Sequence, residues 1–317
     1  MKSCVVLIVL LNACLFTVAF AQTNIAYIHG DVSRNGVIPS SADPGSQAQD
    51  RLPFDQMLLT DTGVRGMSQF QALLESQGHS ISQHYDQQTT LDANFFNGLD
   101  VVIFGLHQKL WTQSERNTLD AWIRAGGGML IYSDSASGGQ FSRISSIGGA
   151  QNNVGQTVTN NLIAPYGMNV TVDQADGVPN EVAIASPSQI LIPGQTLRGE
   201  GVSPIEANDA AVEILIPYTR TIRHFDGLPA DGSREFASLA IRAIGQGHVS
   251  AAFDRQPFWN QDSPGSDITR ADNMEILRRL INFLAQRSTA PAPSPNPSPP
   301  REGRPIINGA LFLLLDD

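Results

Sequence analysis

Carboxylate, imidazole and hydroxyl side chains follow directly after four separate apolar runs of this 317-residue chain. A carboxylate and an imidazole that meet in one cleft can supply both proton transfers of an acid–base reaction, as in a hydrolase or an isomerase. The candidate catalytic residues are therefore Asp134, Asp254, His107 and His29. Neighbouring side chains that can contact a small polar ligand are Asp31, Ser133, Ser135, Arg255, Trp259 and Asn260.

Ser135 offers a second chemistry, because a serine beside a histidine and an aspartate can act as a nucleophile. The segment Ser133–Gly139 departs from the nucleophile elbow Gly-x-Ser-x-Gly, since Ser133 stands where the first glycine would be. A triad of Ser135 with His29 or His107 and with Asp254 stays open as an alternative.

Two tryptophans lie close to these residues in the sequence, Trp111 and Trp259. Exposed aromatic rings beside hydrogen-bonding groups are typical of sugar-binding clefts. The same rings could instead cover the edge of the sheet. The first interpretation predicts a carbohydrate ligand, and the second assigns the rings to the core.

No cofactor and no metal site is predicted. The loop Asn260–Asn273 carries three aspartates, and carboxylates in a flexible loop can bind calcium. Their spacing does not match the twelve-residue calcium loop, and Asp272 can instead cap the helix that follows. The histidines lack the spacing that zinc requires. Calcium therefore remains an alternative only.

The apolar runs predict buried strands that alternate with amphipathic helices. The strands are expected at Asn24–His29, Asp100–Leu106, Gly128–Ser133 and His248–Phe253, and the helices at Val64–Gln77, Thr112–Arg124 and Asp272–Gln286. Thr112 and Glu115 have the spacing of a capping box. This order predicts an α/β fold with a doubly wound, mostly parallel, flavodoxin-like or amidotransferase-like sheet. The carboxyl ends of parallel strands share one edge, where ligands bind, so the polar residues should meet there.

Residues 170–242 follow a different pattern and predict an insertion rich in β-structure. Its β-branched runs are separated by Pro and Gly, and lie at Glu181–Ala185, Gln189–Ile192, Ala211–Pro217 and Ala237–Ile241. We expect antiparallel strands and long loops, inserted in or added to the sheet.

The two ends of the chain differ from its body, which is predicted to span residues 22–287 as one domain. Residues 1–21 have the pattern of a cleaved signal peptide, so the protein is predicted to be secreted or periplasmic. Both cysteines, Cys4 and Cys14, would leave with it, which excludes thiolate chemistry. Acylation of Cys14 in a lipoprotein box is an alternative.

The C-terminal end is predicted to lie outside the domain. Residues 288–300 form a Pro-rich linker, and the short apolar tail 301–317 either docks on the body or binds a protein partner.

Composition narrows the possible partners. The formal net charge is −10, and 41% of the residues are hydrophobic, which argues against a disordered chain and against a nucleic-acid partner. The apolar run of the leader is too short for a stable membrane span.

The motifs along residues 24–286 resemble those of the class I glutamine amidotransferase-like superfamily, and in particular its exported branches and the ThuA-like (trehalose-utilisation) proteins. The resemblance rests on the strand and helix run from Asp100 to Ser133, on Gly245-x-Gly247, on Phe253-Asp254-Arg255-x-x-Phe258-x-Asn260 and on the helix that opens at Asp272. In such amidotransferases a cysteine follows the strand equivalent to Gly128–Ser133, and a His-x-Glu pair follows a later strand. Here Ser133-Asp134-Ser135 and Asp254-Arg255 stand at those places, so glutaminase activity is not expected.

Three functions follow as hypotheses. The first is an exported amidotransferase-like protein without the catalytic cysteine, which binds a small polar ligand such as a carbohydrate at the strand edge. The second is the acid–base hydrolase or isomerase. The third is a non-catalytic envelope scaffold whose contacts are with proteins.

Overall fold

The computed structural model describes residues 22–30, 58–105, 107, 109–133, 154–174, 180–200, 202–220, 222–224, 235–260 and 266–286. The predicted signal peptide, linker and tail lie outside these ranges, as do Asp31, Asp134 and Ser135.

The described residues form thirteen strands and five α-helices. The strands are β1 Asn24–His29, β2 Ser80–Tyr85, β3 Val101–Phe104, β4 Gly128–Tyr132, β5 Met168–Val170, β6 Val172–Gln174, β7 Asn180–Ala183, β8 Thr196–Gly199, β9 Ile205–Ala207, β10 Glu213–Pro217, β11 Ile222–His224, β12 Glu235–Ile244 and β13 Gly247–Ala252. The helices are α1 Ser68–Ser76, α2 Ala93–Phe96, α3 Gln113–Arg124, α4 Val154–Ile163 and α5 Asn273–Leu284. None of these helices is long and apolar enough to cross a membrane.

A block of five parallel strands forms the centre of the fold, in the order β2-β1-β3-β4-β13. Four of these strands are fully buried or nearly so, which is why their sequences are almost continuously apolar. The order reverses direction between β1 and β3, as it does in flavodoxin-like sheets. The predicted doubly wound α/β fold is confirmed.

Alternate residues of the central strands face two separate cores. Tyr27, Ile103 and Tyr132 belong to the core that α1 and α5 cover. Ile28, Phe104 and Ile131 belong to the opposite core, which includes the buried face of α3. This alternation decides on which face of the sheet each strand-end side chain lies.

An antiparallel extension, formed by β5, β9, β10 and β12, continues the sheet beyond β13. β12 pairs with β13 through its second half and with β9 through its first half, so its start projects past the carboxyl end of β13. The predicted antiparallel insertion is thus present, and it joins the main sheet. The run Gln189–Ile192 is not a strand: Ile190 and Leu191 are buried, but the backbone there forms bends.

Helix α3 begins with the predicted capping box. The Thr112 side chain accepts from the Glu115 backbone amide at 3.3 Å, and the Glu115 carboxylate accepts from the Thr112 amide at 2.9 Å. Asp272, in contrast, stands before α5 without capping it, because its carboxylate accepts from the Thr196 amide at 2.8 Å.

Replacing Thr112 with alanine should lower the free energy of unfolding by about 1 kcal/mol, because the amide of Glu115 loses its acceptor. Thr112→Ser keeps the hydroxyl and should stay close to the wild type. Urea unfolding of both variants measures the difference, and equal stabilities would show that the capping box contributes nothing.

Candidate functional site

The carboxyl edge of the parallel block gathers the residues that the strand ends predicted. His29 ends β1, His107 follows β3, Ser133 follows β4, and Asp254 and Arg255 follow β13. All five side chains are buried, with exposed fractions of 7% or less. They share an edge, but they do not form a single group.

The strand order reverses at this edge between the ends of β1 and β3, the position at which sheets of this kind form a ligand crevice, and we call this place the crevice. His29 and Gly30 end one strand and Gly105 ends the other. A Cβ atom at Gly105 would lie 2.6 Å from the Tyr27 hydroxyl and 2.7 Å from that of Tyr132. Glycine is therefore required at Gly105 by the two phenols beneath it.

The two tyrosines form a buried hydroxyl pair directly beneath Gly105. Their oxygens are 2.9 Å apart, and the Met67 sulfur lies 3.2 Å from the Tyr27 hydroxyl and 3.7 Å from that of Tyr132. Burial raises the pKa of both phenols well above the ordinary value of 10.0. Both therefore stay protonated and act as neutral hydrogen-bonding groups.

His29 lies beside this pair, on the same face of the sheet. Its ring centre is 6.1 Å from that of Tyr27, and its Nδ1 is 2.7 Å from the carbonyl oxygen of Gly30. The backbone thus fixes the orientation of the buried imidazole at the end of β1.

His107 belongs to a different cluster, on the opposite face. Its ring packs against Phe104 and Trp111, with ring centres 5.3 and 6.5 Å away. The buried carboxylate of Asp86 accepts from the Lys109 amide at 2.9 Å, and the Lys109 ammonium pairs with Glu115 at 2.7 Å. The two candidate histidines are therefore separated by the sheet, and an acid–base pair in one cleft would use His29.

Burial lowers the pKa of His107 below its ordinary value of 6.5, although the charge of Asp86 opposes the shift. The pKa values of His84 and His248 are lowered by burial as well. The unfolded chain therefore binds more protons than the folded chain as the pH falls below about 6.5.

Stability should accordingly decrease as the pH is lowered from about 7.5 to about 5. His107→Gln should make this decrease shallower, because glutamine keeps a polar side chain that does not titrate. Urea unfolding across this range measures the slope, and an unchanged slope in the variant would contradict the assignment to His107.

Asp254 is fully buried and is bonded to the backbone on two sides. One carboxylate oxygen accepts from the Glu200 amide at 2.7 Å, and the other accepts from the Gln256 amide at 3.2 Å. The Ser133 hydroxyl donates to the Ser203 carbonyl at 2.7 Å. Ser203 and Glu200 thus lie against the residues that follow β4 and β13.

A further cluster contains two positive charges: the guanidinium groups of Arg255 and Arg65 both lie over the ring of Trp259. We call this group the arginine–tryptophan cluster. The guanidinium carbons of Arg255 and Arg65 lie 5.3 and 5.5 Å from the centre of the Trp259 ring. The positive charge of Arg255 also opposes the rise in the pKa of Tyr132, so the cluster lies near the tyrosine hydroxyl pair. Trp259 is only 2% exposed and Trp111 only 1%, so the interpretation with exposed tryptophans is wrong, and the alternative that assigns both rings to the core is the one that agrees with the structure.

Asn260 connects three backbone segments through its amide. Its oxygen accepts from the Gln69 amide at 2.7 Å, at the start of α1, and its nitrogen donates to the carbonyls of Asp61 and Gly63, both at 2.9 Å. Asn260 therefore positions the loop that carries Arg65.

The structure gives no support for a metal centre among the described residues, where no group of three His, Asp or Glu side chains could hold an ion. Asp267 accepts from the Thr269 amide and hydroxyl, and Asp272 accepts from Thr196. Asp262 lies outside the described residues.

Sequence reasoning missed Arg65, Tyr27, Tyr132 and Gly105. The two tyrosines lie inside apolar runs and look like ordinary core residues. Gly105, directly after a strand, was the one available indication of a close approach. Arg65 lies in a loop far from the strand ends in sequence, and only the fold brings it to the cluster.

The sheet order and the buried parallel strands define a flavodoxin-like α/β fold. Its backbone is similar to the mmIFT52 N-terminal domain, with a TM-score of 0.52, 12% identity and coverage of 83% of this chain and 98% of that one. At such identity the similarity shows the fold alone.

Two further solved structures are similar at lower scores. One is a putative ThuA-like protein from Bacteroides uniformis, with a TM-score of 0.46, 8% identity and coverage of 86% of this chain and 94% of that one. The other is a β-galactosidase from Rahnella sp. R3, with a TM-score of 0.43, 13% identity and coverage of 83% of this chain. The chain spans about a third of that enzyme, 31% of its length. No protein-family model matches the chain, and no curated protein matches it.

Proposed function

We propose that this chain is an exported, amidotransferase-like protein without the catalytic cysteine, and that it binds a small polar ligand of the carbohydrate class at the carboxyl edge of its sheet. The observation that carries the proposal is the reversal of the strand order between β1 and β3. Flavodoxin-like folds bind their ligands outside the carboxyl ends of the strands at such a reversal point.

The chemistry of the crevice suits hydroxyl groups. The Tyr27 and Tyr132 phenols are neutral, and each hydroxyl can both donate and accept a hydrogen bond. His29 adds an imidazole whose orientation is fixed by Gly30. A site built to hydrogen-bond a polyol has this mixture of donors and acceptors on a rigid apolar frame.

Glutamine amidotransferase chemistry requires a cysteine nucleophile, which the body of this chain lacks. Residues 22–317 contain no cysteine. The Ser133 hydroxyl, at the end of β4, donates to the Ser203 carbonyl and is also 3.3 Å from that of Ala252. Its hydrogen bond therefore holds the backbone of Ser203 at the end of β4.

Calorimetric titration of the full chain with neutral sugars, polyols and acidic sugars tests the proposal. A hit should bind with an affinity that falls at least about tenfold in His29→Ala, which removes a polar group from the crevice. Glu75→Ala, on the exposed side of α1, is the matched control and should bind normally. A hit that binds both variants equally would place the site elsewhere, and turnover of the hit would favour the hydrolase or isomerase over a binding protein.

A further inference from the structure

The two ends of the sheet order differ in how their outer edges are covered. At one end, β5 is closed by a side chain: the Asn160 Nδ2 donates to the Val170 carbonyl at 3.0 Å, and the Val170 amide donates to the Asn160 Oδ1 at 2.7 Å. At the other end, β2 pairs with β1, and no strand within the described residues pairs with its outer side. β2 is therefore an open edge in this part of the chain.

The backbone of β2 offers hydrogen-bonding groups on that open side. The Ser80 amide donates to the Thr23 carbonyl at 2.8 Å, so Ser80 faces β1. Successive residues of a strand direct their N–H and C=O groups to opposite sides, so Ile81 and Gln83 direct theirs outward. Natural edge strands are usually protected by lysine, proline or a bulge, and β2 has none of these. Its outer edge is therefore suited to pairing with another strand.

Apolar side chains lie on both faces of the sheet at β2. On one face, Ile81 is half-buried and packs against the core that α1 and α5 cover. On the other face, Phe95 is half-buried, and its ring centre is 5.3 Å from that of His84. A strand added beside β2 would therefore bury apolar surface on each of its faces.

Residues 310–315, with the sequence ALFLLL, form a run of the length and character that such a position requires. The run has six consecutive apolar residues, and β2 has six residues. A strand that is exposed on one face alternates apolar and polar residues, whereas a strand buried on both faces is continuously apolar. The central strands β3 and β4 show this second pattern. The run therefore fits a strand with both faces covered.

The described body ends close to the start of β2. His79 directly precedes this strand, and its Nε2 lies 2.9 Å from the Oδ1 of Asn282, in the last turn of α5. The Asn282 Nδ2 also donates to the Gln77 side chain at 2.9 Å. Residues 287–309, which include the predicted Pro-rich linker, connect α5 to the apolar run, and at about 3.1 Å per extended residue they can reach well beyond the ~20 Å length of β2. Residues 310–315 can therefore reach the open edge of the same chain.

We propose that residues 310–315 pair with the outer edge of β2 in the same chain and add one strand to the sheet. The backbone of the run bonds to the outward groups of Ile81 and Gln83, and its side chains cover Ile81 and Phe95. Tethering to α5 raises the effective concentration of the run at this edge. A formal net charge of −10 makes the approach of a second copy less favourable.

Residue-resolved hydrogen exchange of the full chain, followed by NMR, tests this pairing. The Ile81 and Gln83 amides should exchange slowly in the wild type. Leu313→Asp places a charge within the run, so both amides should exchange at least about tenfold faster. The Ser82 amide faces β1 and should not change. Sedimentation should show a monomer.

Ser294→Asp is the matched control, since it adds the same charge in the linker instead of the run. It should leave the exchange of the Ile81 and Gln83 amides unchanged. If it accelerates their exchange as much as Leu313→Asp does, a general effect of charge explains the result and the pairing is contradicted.

Three other results would also overturn the proposal. Fast exchange of the Ile81 and Gln83 amides in the wild type would show that the edge is open. Slow exchange that Leu313→Asp does not alter, in a monomer, would assign the edge to another segment of the chain. Slow exchange in a dimer would assign the edge to a second copy. None of these measurements involves a ligand, so the function proposed above is tested separately.

Discussion

Asp254→Ala should lower the free energy of unfolding by about 2–4 kcal/mol, because two backbone amides lose a buried, charged acceptor. The Glu200 amide, at 2.7 Å, belongs to a residue that lies against the end of β13, and the Gln256 amide, at 3.2 Å, belongs to the turn that leads to Trp259. Losing both bonds leaves two part-buried donors without this acceptor. Chemical denaturation followed by circular dichroism measures the change.

Two further variants show whether the loss of stability is specific to the buried carboxylate of Asp254. Glu75→Ala removes an exposed carboxylate from α1 and should change stability by less than about 0.5 kcal/mol. Asp254→Asn keeps one acceptor oxygen but points an amide nitrogen at the other donor, and should fall between the wild type and Asp254→Ala. If Asp254→Ala is as stable as the wild type, this carboxylate is not structural, and its role as a candidate catalytic base becomes the better explanation.

Asn260→Ala is expected to cost about 2–4 kcal/mol as well, through a different mechanism. The amide side chain joins the start of α1 to the loop 61–66, which precedes it. Helix α1 has no capping side chain of its own, so Asn260 supplies from almost two hundred residues away the acceptor that a local cap would provide. Thermal and urea unfolding of the variant measure the loss.

Asn260→Asp separates the acceptor role of the Asn260 side chain from its donor role. The carboxylate can still accept from Gln69 at the helix start, where a negative charge is favourable, but it cannot donate to Asp61 and Gly63. An intermediate stability is expected. Asn117→Ala, on the exposed side of α3, is the matched control and should change stability little. If Asn260→Ala and Asn117→Ala are equally stable, the long-range cap has no energetic role.

The sequence predicted those elements whose signals are local or strongly apolar. β1 matches its predicted bounds, and α3 begins at the capping box that Thr112 and Glu115 form. β2 was missed because an edge strand with the sequence SISQHY is largely polar and half exposed. α4 was missed because its sequence, VGQTVTNNLI, is rich in β-branched residues and contains a glycine. In both cases the neighbouring elements decide the structure.

The sequence predicted which residues lie at the carboxyl edge of the sheet, but not how they are grouped there. The parallel topology brought His29, Ser133 and Asp254 to one edge, as the strand ends indicated. Each side chain lies on a face of the sheet that depends on the strand register and on the turn that follows the strand. Residue spacing in the sequence determines neither. His107 follows β3 by three residues and packs with Phe104 instead of facing His29. Arg65 reaches the site only because Asn260 holds its loop.

The pairing of β4 with β13 also has a consequence for the order of folding. Gly128 lies opposite His248, so the neighbour of β4 is separated from it by the whole antiparallel extension. During synthesis the apolar strand β4 is complete long before β13 has been made. One edge of β4 therefore has no partner strand until the rest of the chain follows. We therefore expect a slow final folding step, and a tendency to aggregate in chains truncated before β13, since contacts so distant in sequence form late.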